Sequence, residues 1–302
     1  MKQNKILITG GTGFIGYHLA KKCLDLKWSV DSVSISLPKK NRRLKNVKYL
    51  NFDISKKKEI KKILSLKYDY VVNLAGYVDH SHKKKTIKSH YNGCKNIAEF
   101  FLNSNIKKFV QIGSCIEYGK IPSPQSENQK KFPKTYSFYG KAKLLSTKFL
   151  LNLNEKFNFP STIMRLYLVY GPNQDLNRIV PITINNAIKN KKFDCSPGHQ
   201  LRDFIYVDDV IEAIIKILKN KNASGQIINI GSGKAISVKK TINTICKLAE
   251  GGRPIFGKIN LRKDEIIKLY PNISKAKKIL KWKPKVSFNS GILKTIKYFK
   301  KL

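Results

Sequence analysis

The segment Lys5-Ile-Leu-Ile-Thr9-Gly10-Gly-Thr-Gly13-Phe14-Ile15-Gly16 constrains this chain more than any other. Lys5–Thr9 is apolar and branched, as a buried parallel strand requires. Glycines follow at positions 10, 13 and 16. A helical pattern then begins, with Phe14, Ile15, Leu19 and Ala20 as its apolar set. Strand, glycine turn and helix together make a phosphate cradle. The glycines let the backbone turn tightly and approach a pyrophosphate, and the helix N-terminus offers free N–H groups and the positive end of its dipole. The competing reading is a tight strand-to-helix turn with no ligand. The strand before the glycines and the helix after them favour the dinucleotide.

The same alternation continues. Runs suited to strands occur at Lys5–Thr9, Ser29–Ser34, Val47–Phe52, Tyr70–Leu74 and Phe109–Gly113. Helical patterns at Gly13–Leu26, Lys56–Leu66 and Lys84–Asn103 separate several of them. In the last, Ile87, Tyr91, Cys94, Ile97 and Phe101 fall on one stripe. Tyr139–Leu153 reads as a further long helix, and Thr162–Val169 as a sixth strand ended by Gly171-Pro172-Asn173. This predicts an α/β, doubly wound parallel sheet of Rossmann type. Beyond it the rhythm loosens. Helices are expected at Val180–Asn190, Asp208–Lys219, Ser237–Ala249, Ser274–Leu280 and Asn289–Lys300, and short strands at Phe204–Val207 and Gln226–Ile230. We therefore expect a dinucleotide-binding domain over 1–170, with 204–231 returning to it, and a smaller C-terminal α/β substrate lobe over 171–302.

A net charge of +41 raises the question of nucleic acid. Seven of the 60 basic residues are arginines, and the lysines are spread through nearly every element. Phosphate-clamping and base-reading surfaces lean on arginine, so a general lysine bias on solvated faces is the preferred reading. No apolar run approaches the roughly 18 residues of a membrane span. A core strand starts almost at once, so no signal peptide is expected. The five cysteines are scattered, with no metal-ligand spacing. A reduced, cytoplasmic enzyme fits best.

Two further signals concern the cofactor and the chemistry. An acid about twenty residues past the glycines usually holds the adenosine ribose. Here the second strand ends at Ser34, followed by Lys39, Lys40, Arg42 and Arg43. The missing carboxylate and the basic residues favour NADP over NAD; the competing reading is one more basic loop in a basic chain. Asp53 could accept a hydrogen bond from the adenine amino group. Tyr139 and Lys143 lie one turn apart on one helical face. A phenol with a pKa of about 10 is a poor base, and a nearby ammonium is expected to lower that pKa. Ser114, at the end of the fifth strand, could orient the reacting oxygen while Tyr139 transfers its proton.

The chain resembles the extended short-chain dehydrogenase/reductases, in the nucleotide-sugar epimerase/dehydratase family. The resemblance rests on Gly10-Gly-Thr-Gly13-Phe-Ile-Gly16, Asp53-Ile54, Asn73-Leu74-Ala75-Gly76, Ser114…Tyr118-Gly119, Tyr139-x-x-x-Lys143, Arg165…Tyr170-Gly171-Pro172, Arg202-Asp-Phe-Ile-Tyr-Val-Asp-Asp209, Asn229-Ile-Gly231-Ser-Gly233 and Trp282-Lys-Pro284. It implies a catalytic trio of Ser114, Tyr139 and Lys143, with Lys143 also on the nicotinamide ribose. It implies cofactor contacts from Gly10, Gly13, Phe14, Ile15, Gly16, Ser34, Asp53, Ile54, Leu74, Ala75 and Gly76. Arg202 and Arg262 would hold the diphosphate of a nucleotide sugar. Family members commonly dimerise through two helices per subunit, here 84–103 and 139–153, so a homodimer is expected.

Departures from the pattern narrow the expected activity. The 4,6-dehydratases carry an Asp-Glu pair where this chain has Cys115 and Ile116. The 4-epimerases often have an asparagine where this chain has Leu168, and they hold NAD tightly. Together these lean towards NADPH-dependent reduction of a 4-keto sugar nucleotide, with a 4-epimerase as the alternative. A non-catalytic NAD(P)- or RNA-binding regulator is the reading from another class. Glu117 could be a further acid or a solvated or hydrogen-bonded loop residue. His80 and His82 could line the sugar pocket or belong to a polar loop.

Overall fold

The computed structural model describes residues 3–63, 66–77, 82–129, 133–135, 137–262 and 265–301. The strands, in chain order, are β1 (Lys5–Thr9), β2 (Ser29–Ser34), β3 (Val47–Asn51), β4 (Tyr70–Asn73), β5 (Lys108–Ser114), β6 (Ser161–Leu166), β7 (Leu168–Tyr170), β8 (Lys192–Cys195), β9 (Leu201–Tyr206), β10 (Gln226–Ile230), β11 (Ala235–Ser237), β12 (Arg253–Phe256) and β13 (Lys268–Leu269). The α-helices are α1 (Phe14–Asp25), α2 (Lys83–Ile87), α3 (Gly93–Phe101), α4 (Phe138–Phe157), α5 (Ile179–Ile188), α6 (Val207–Lys219), α7 (Val238–Ala249), α8 (Ser274–Leu280) and α9 (Phe288–Phe299).

Seven parallel strands form the main sheet in the order β10-β6-β5-β4-β1-β2-β3. Successive side chains on a strand point to opposite faces, and both faces are covered. Ile6 and Ile8 enter one core cluster while Leu7 enters another, and Val110 and Phe109 divide in the same way. This explains why the strands read as continuous apolar runs rather than alternating ones. The chain reverses direction across the sheet between β1 and β4, opening a crevice at the carboxyl ends of these strands.

The expected sixth strand is interrupted. Residues 161–166 pair with β5 and β10, but at Tyr167 the chain leaves the large sheet, and β7 pairs with β9 instead. A continuous apolar run does not reveal a change of partner. The strand expected at Phe204–Val207 spans Leu201–Tyr206 and is the hub of a smaller sheet with β7, β11 and β13. β10 joins the large sheet, and α6, before it, packs on α1 and β5. The helix expected at Lys56–Leu66 is a 3₁₀ turn over Lys57–Ile63.

The helix expected at Lys84–Asn103 carries a π-helical turn at Lys88–Asn92, between α2 and α3. One wide turn shifts the helical phase. The buried positions become Thr86, His90, Cys94, Ile97 and Phe101, and Ile87 and Tyr91 move out of the stripe. The apolar residues of α3 and α4 face the sheet: Cys94, Ile97, Ala98, Phe101, Leu150 and Leu153 share one core cluster.

Candidate active site

The glycine turn is built as the cradle requires. Gly10 has φ +71°, and a Cβ there would stand 2.8 Å from the Ala75 backbone nitrogen. A Cβ on Gly16 would lie 2.5 Å from Gly11 Cα, so these two glycines are needed for close packing. Gly13 differs. A Cβ there would meet the Gly10 carbonyl at 3.2 Å and otherwise open space. Gly13 is the N-cap of α1 and makes no side-chain hydrogen bond, and no acid lies in the first turn. Phe14 and Ile15 open that turn, with their side chains against the core. An uncapped helix end beside an open glycine fits a pyrophosphate.

Across the turn, Ser34 Oγ accepts the Thr12 N–H at 3.4 Å. The acid of β2, Asp31, lies three residues before the strand end. It is held there by Tyr68 at 2.7 Å and Lys5 at 3.1 Å, away from any ribose. Asp53 Oδ1 accepts the Ser55 N–H at 2.9 Å, and Ile54 is buried against Gly93. After β4, the Leu74 N–H donates to Thr9 O at 2.9 Å and the Ala75 N–H to Asn73 Oδ1 at 3.2 Å.

The basic loop is less free than the sequence suggests. Arg42 is buried; its Nε donates to the Asn173 carbonyl at 3.0 Å and its guanidinium pairs with Asp175 at 3.1 Å. Lys39 Nζ donates to the same Asp175 carboxylate at 2.7 Å. Two of the four basic residues after β2 are therefore committed to the turn after β7.

Ser114, Tyr139 and Lys143 meet at the carboxyl edge of the sheet. Ser114 ends β5 and is 8% exposed. Ser137 caps α4 by accepting the Gly140 N–H at 3.0 Å, which sets Tyr139 in the first turn. Lys143, one turn on, is buried, and its ammonium donates to Ile112 O at 2.7 Å. It stands 5.8 Å from the centre of the Tyr139 ring. Burial pushes the Tyr139 phenol up to about 12, with its hydrogen bond to Ser114 pulling the other way. Burial pushes Lys143 down to about 8, with Glu117 opposing. The net displacement of Tyr139 is therefore upward, against the lowering expected from the ammonium. Removal from water dominates for both groups, and Lys143 is anchored on a carbonyl rather than on the phenol.

Two further residues complete this edge, and of the readings open for Glu117 the hydrogen-bonded one holds. Glu117 is fully buried, and Ser114 and Glu117 form a capping box. The signal was Ser-x-x-Glu, a helix-start pattern. His90 packs edge-on to the Tyr139 ring at 5.0 Å and shares a hydrogen bond with Tyr77 O at 3.1 Å. A Cβ on Gly76 would overlap its imidazole. His90 shares the face of Cys94, Ile97 and Phe101 by helical spacing, but as a polar residue it did not register in a reading of the apolar stripe. His80 lies outside the described residues, and His82 is the N-cap of α2.

On the other side of the edge, Arg202 lies on β9 and is 7% exposed. It donates to Leu201 O at 2.8 Å and forms an ion pair with Glu265. The Glu265 N–H in turn donates to Arg262 O at 3.0 Å, so the ion-pair partner of Arg202 is hydrogen-bonded to the backbone of Arg262. The Arg262 side chain is exposed. Asp203 accepts the Ser232 N–H at 2.6 Å and the Lys234 N–H at 3.1 Å, which fixes the Gly231–Gly233 turn. Cys115 follows Ser114 and is close enough to Arg202 for the guanidinium to act on its thiol, although burial dominates and pushes that thiol up to about 12. The Ser114 and Tyr139 hydroxyls and a buried guanidinium therefore flank one edge.

Residues 6–231 match the model of the NAD dependent epimerase/dehydratase family. A putative UDP-glucose 4-epimerase of Methanocaldococcus jannaschii is 30% identical over 98% of both chains. The crystal structure of the Thermotoga maritima UDP-glucose 4-epimerase with UDP-glucose superposes with a TM-score of 0.92, at 27% identity, over 98% of this chain and 99% of that one. A variant of the Bacillus cereus UDP-glucuronic acid 4-epimerase, solved with UDP-4-deoxy-4-fluoro-glucuronic acid and NAD, superposes with a TM-score of 0.89 at 26% identity, over 98% and 99% of the two chains.

Proposed function

Because the chain belongs to the NAD dependent epimerase/dehydratase family, we propose that it moves a hydride at C4 of a nucleotide-diphosphate sugar, and that the reaction it favours is NADPH-dependent reduction of a 4-keto sugar. The observation that carries this reading is the meeting of Ser114, Tyr139 and Lys143 at the sheet edge, with Arg202 opposite.

Gly10, Gly13, Gly16 and the first turn of α1 with Phe14 and Ile15 would hold the pyrophosphate. Ser34, Asp53 and Ile54 would take the adenosine end. Leu74, Ala75, Gly76 and Lys143 would take the nicotinamide end. The bound nicotinamide supplies the hydride chemistry. Ser114 Oγ hydrogen-bonds the C4 oxygen and orients it. Tyr139 gives its phenolic proton to that oxygen, and the Lys143 ammonium stabilises the phenolate left behind. Arg202 releases Glu265 to take the diphosphate, assisted by Arg262, as charge-assisted bidentate recognition favours.

Four residues support reduction. Ser34 leaves no carboxylate against a ribose 2′-phosphate. Cys115 and Ile116 supply no acid and base for water elimination. Leu168 stands where a 4-epimerase often carries an amide. The commitment of Arg42 and Lys39 to Asp175 favours the second reading, a 4-epimerase with bound NAD, because it removes two cations from a 2′-phosphate. Mass spectrometry of ligands released from the purified protein separates the two. Free protein that binds NADPH on addition supports the reductase. Stoichiometric bound NAD, with C4 inversion and no added reductant, supports the epimerase.

A further inference from the structure

A buried carboxylate is costly unless hydrogen bonds and an opposite charge surround it. Glu117 is 0% exposed and sits directly behind Ser114. Its Oε1 accepts the Ser114 N–H at 2.8 Å. Its Oε2 accepts the Thr147 hydroxyl at 2.7 Å and the Arg165 Nε–H at 3.1 Å, and Arg165 Nη2 lies 3.0 Å away. Thr147 is one turn past Lys143 on α4, and Arg165 lies on β6. One carboxylate thus joins the end of β5, the helix of Tyr139 and Lys143, and the neighbouring strand. Space for it is left by Gly113, where a Cβ would stand 2.5 Å from Oε1.

Capping alone does not require a charge at this depth, since a serine hydroxyl caps a turn by itself. The charge matters to what faces it: Arg165 from β6, Tyr139 and Lys143 from α4, and Cys115 from its own turn. The geometry points to Glu117 as a positioning residue that fixes the Ser114 backbone and supplies the buried negative charge opposite Arg165 and Lys143. Its field raises both Lys143 and Tyr139. The lysine is thereby held towards its ammonium form against the pull of burial. This role rests on the redox reading of Ser114, Tyr139 and Lys143.

The test is the titration of Lys143, followed by lysine ¹³Cε NMR and assigned with Lys143→Met. It reads a charge rather than turnover, so it is independent of the redox reading, which Tyr139→Phe tests separately. In the intact protein Lys143 is expected to titrate at about 8. Glu117→Gln keeps the shape and removes the charge, and the midpoint is expected to fall by about one pH unit. Glu117→Asp keeps the charge and shortens the reach, and the midpoint is expected to stay. If Glu117→Gln does not fold, because Arg165 is left buried and unpaired, the double variant Glu117→Gln with Arg165→Met removes both charges together. It is expected to show a smaller fall in the same direction, because the opposing field of Arg165 is removed together with that of Glu117. A folded variant of either kind with an unmoved midpoint would overturn the role.

Discussion

At the scale of single residues, Gly13 and Tyr139 carry the sharpest consequences. Gly13 has φ −77°, which any residue adopts, and a Cβ there would meet only the Gly10 carbonyl, at 3.2 Å. Gly13→Ala is therefore expected to fold with a slightly lowered melting temperature while weakening dinucleotide binding by about tenfold or more, as read by calorimetric titration. An equal loss of stability and affinity would show that the glycine serves packing instead. Tyr139→Phe removes the proton donor and little else, so kcat is expected to fall by about 10²–10⁴, with nucleotide-sugar affinity preserved. Tyr139 and Lys143 were readable in the sequence because a spacing of four fixes two residues on one helical face. Their protonation was not readable, since it depends on how much water the folded site excludes.

At the scale of elements, the β2–β3 loop and the turn after β7 form a latch. Arg42 and Lys39 hold Asp175, and Tyr298 from α9 donates to Asn173 at 2.7 Å in the same cluster. Asp175→Asn returns cationic charge to the adenosine end of the crevice. NADPH affinity should then rise relative to NADH by about two- to fivefold, the scale of an exposed ion pair, in paired fluorescence titrations at one ionic strength. An unchanged ratio would place the latch outside the cofactor site. The main-sheet strands and the phosphate cradle were legible because each is a local run with a fixed period. Sheet switching at Tyr167 and the π turn at Lys88–Asn92 were not. Both are choices of partner or phase that only the assembled core decides.

At the scale of the whole molecule, the formal charge of +41 sets how ligands arrive. A nucleotide sugar and a dinucleotide are both anions, so KM for each is expected to rise steeply between low and physiological salt; a flat response would confine electrostatics to the contact residues. The homodimer implied by the resemblance is a proposal of the same kind. The apolar stripes of α3 and α4 are spent on the core, and Lys141 and Lys148 are exposed on α4. A dimer through these helices should tighten as salt screens the lysines, which sedimentation at two ionic strengths would show. The most direct test of the central claim is NADPH oxidation with a panel of 4-keto-6-deoxy nucleotide sugars, in the intact protein and in Tyr139→Phe. The predicted result is one NADPH consumed per sugar reduced, abolished in the variant. Tightly bound NAD, C4 inversion of a nucleotide sugar and no NADPH consumption would contradict it.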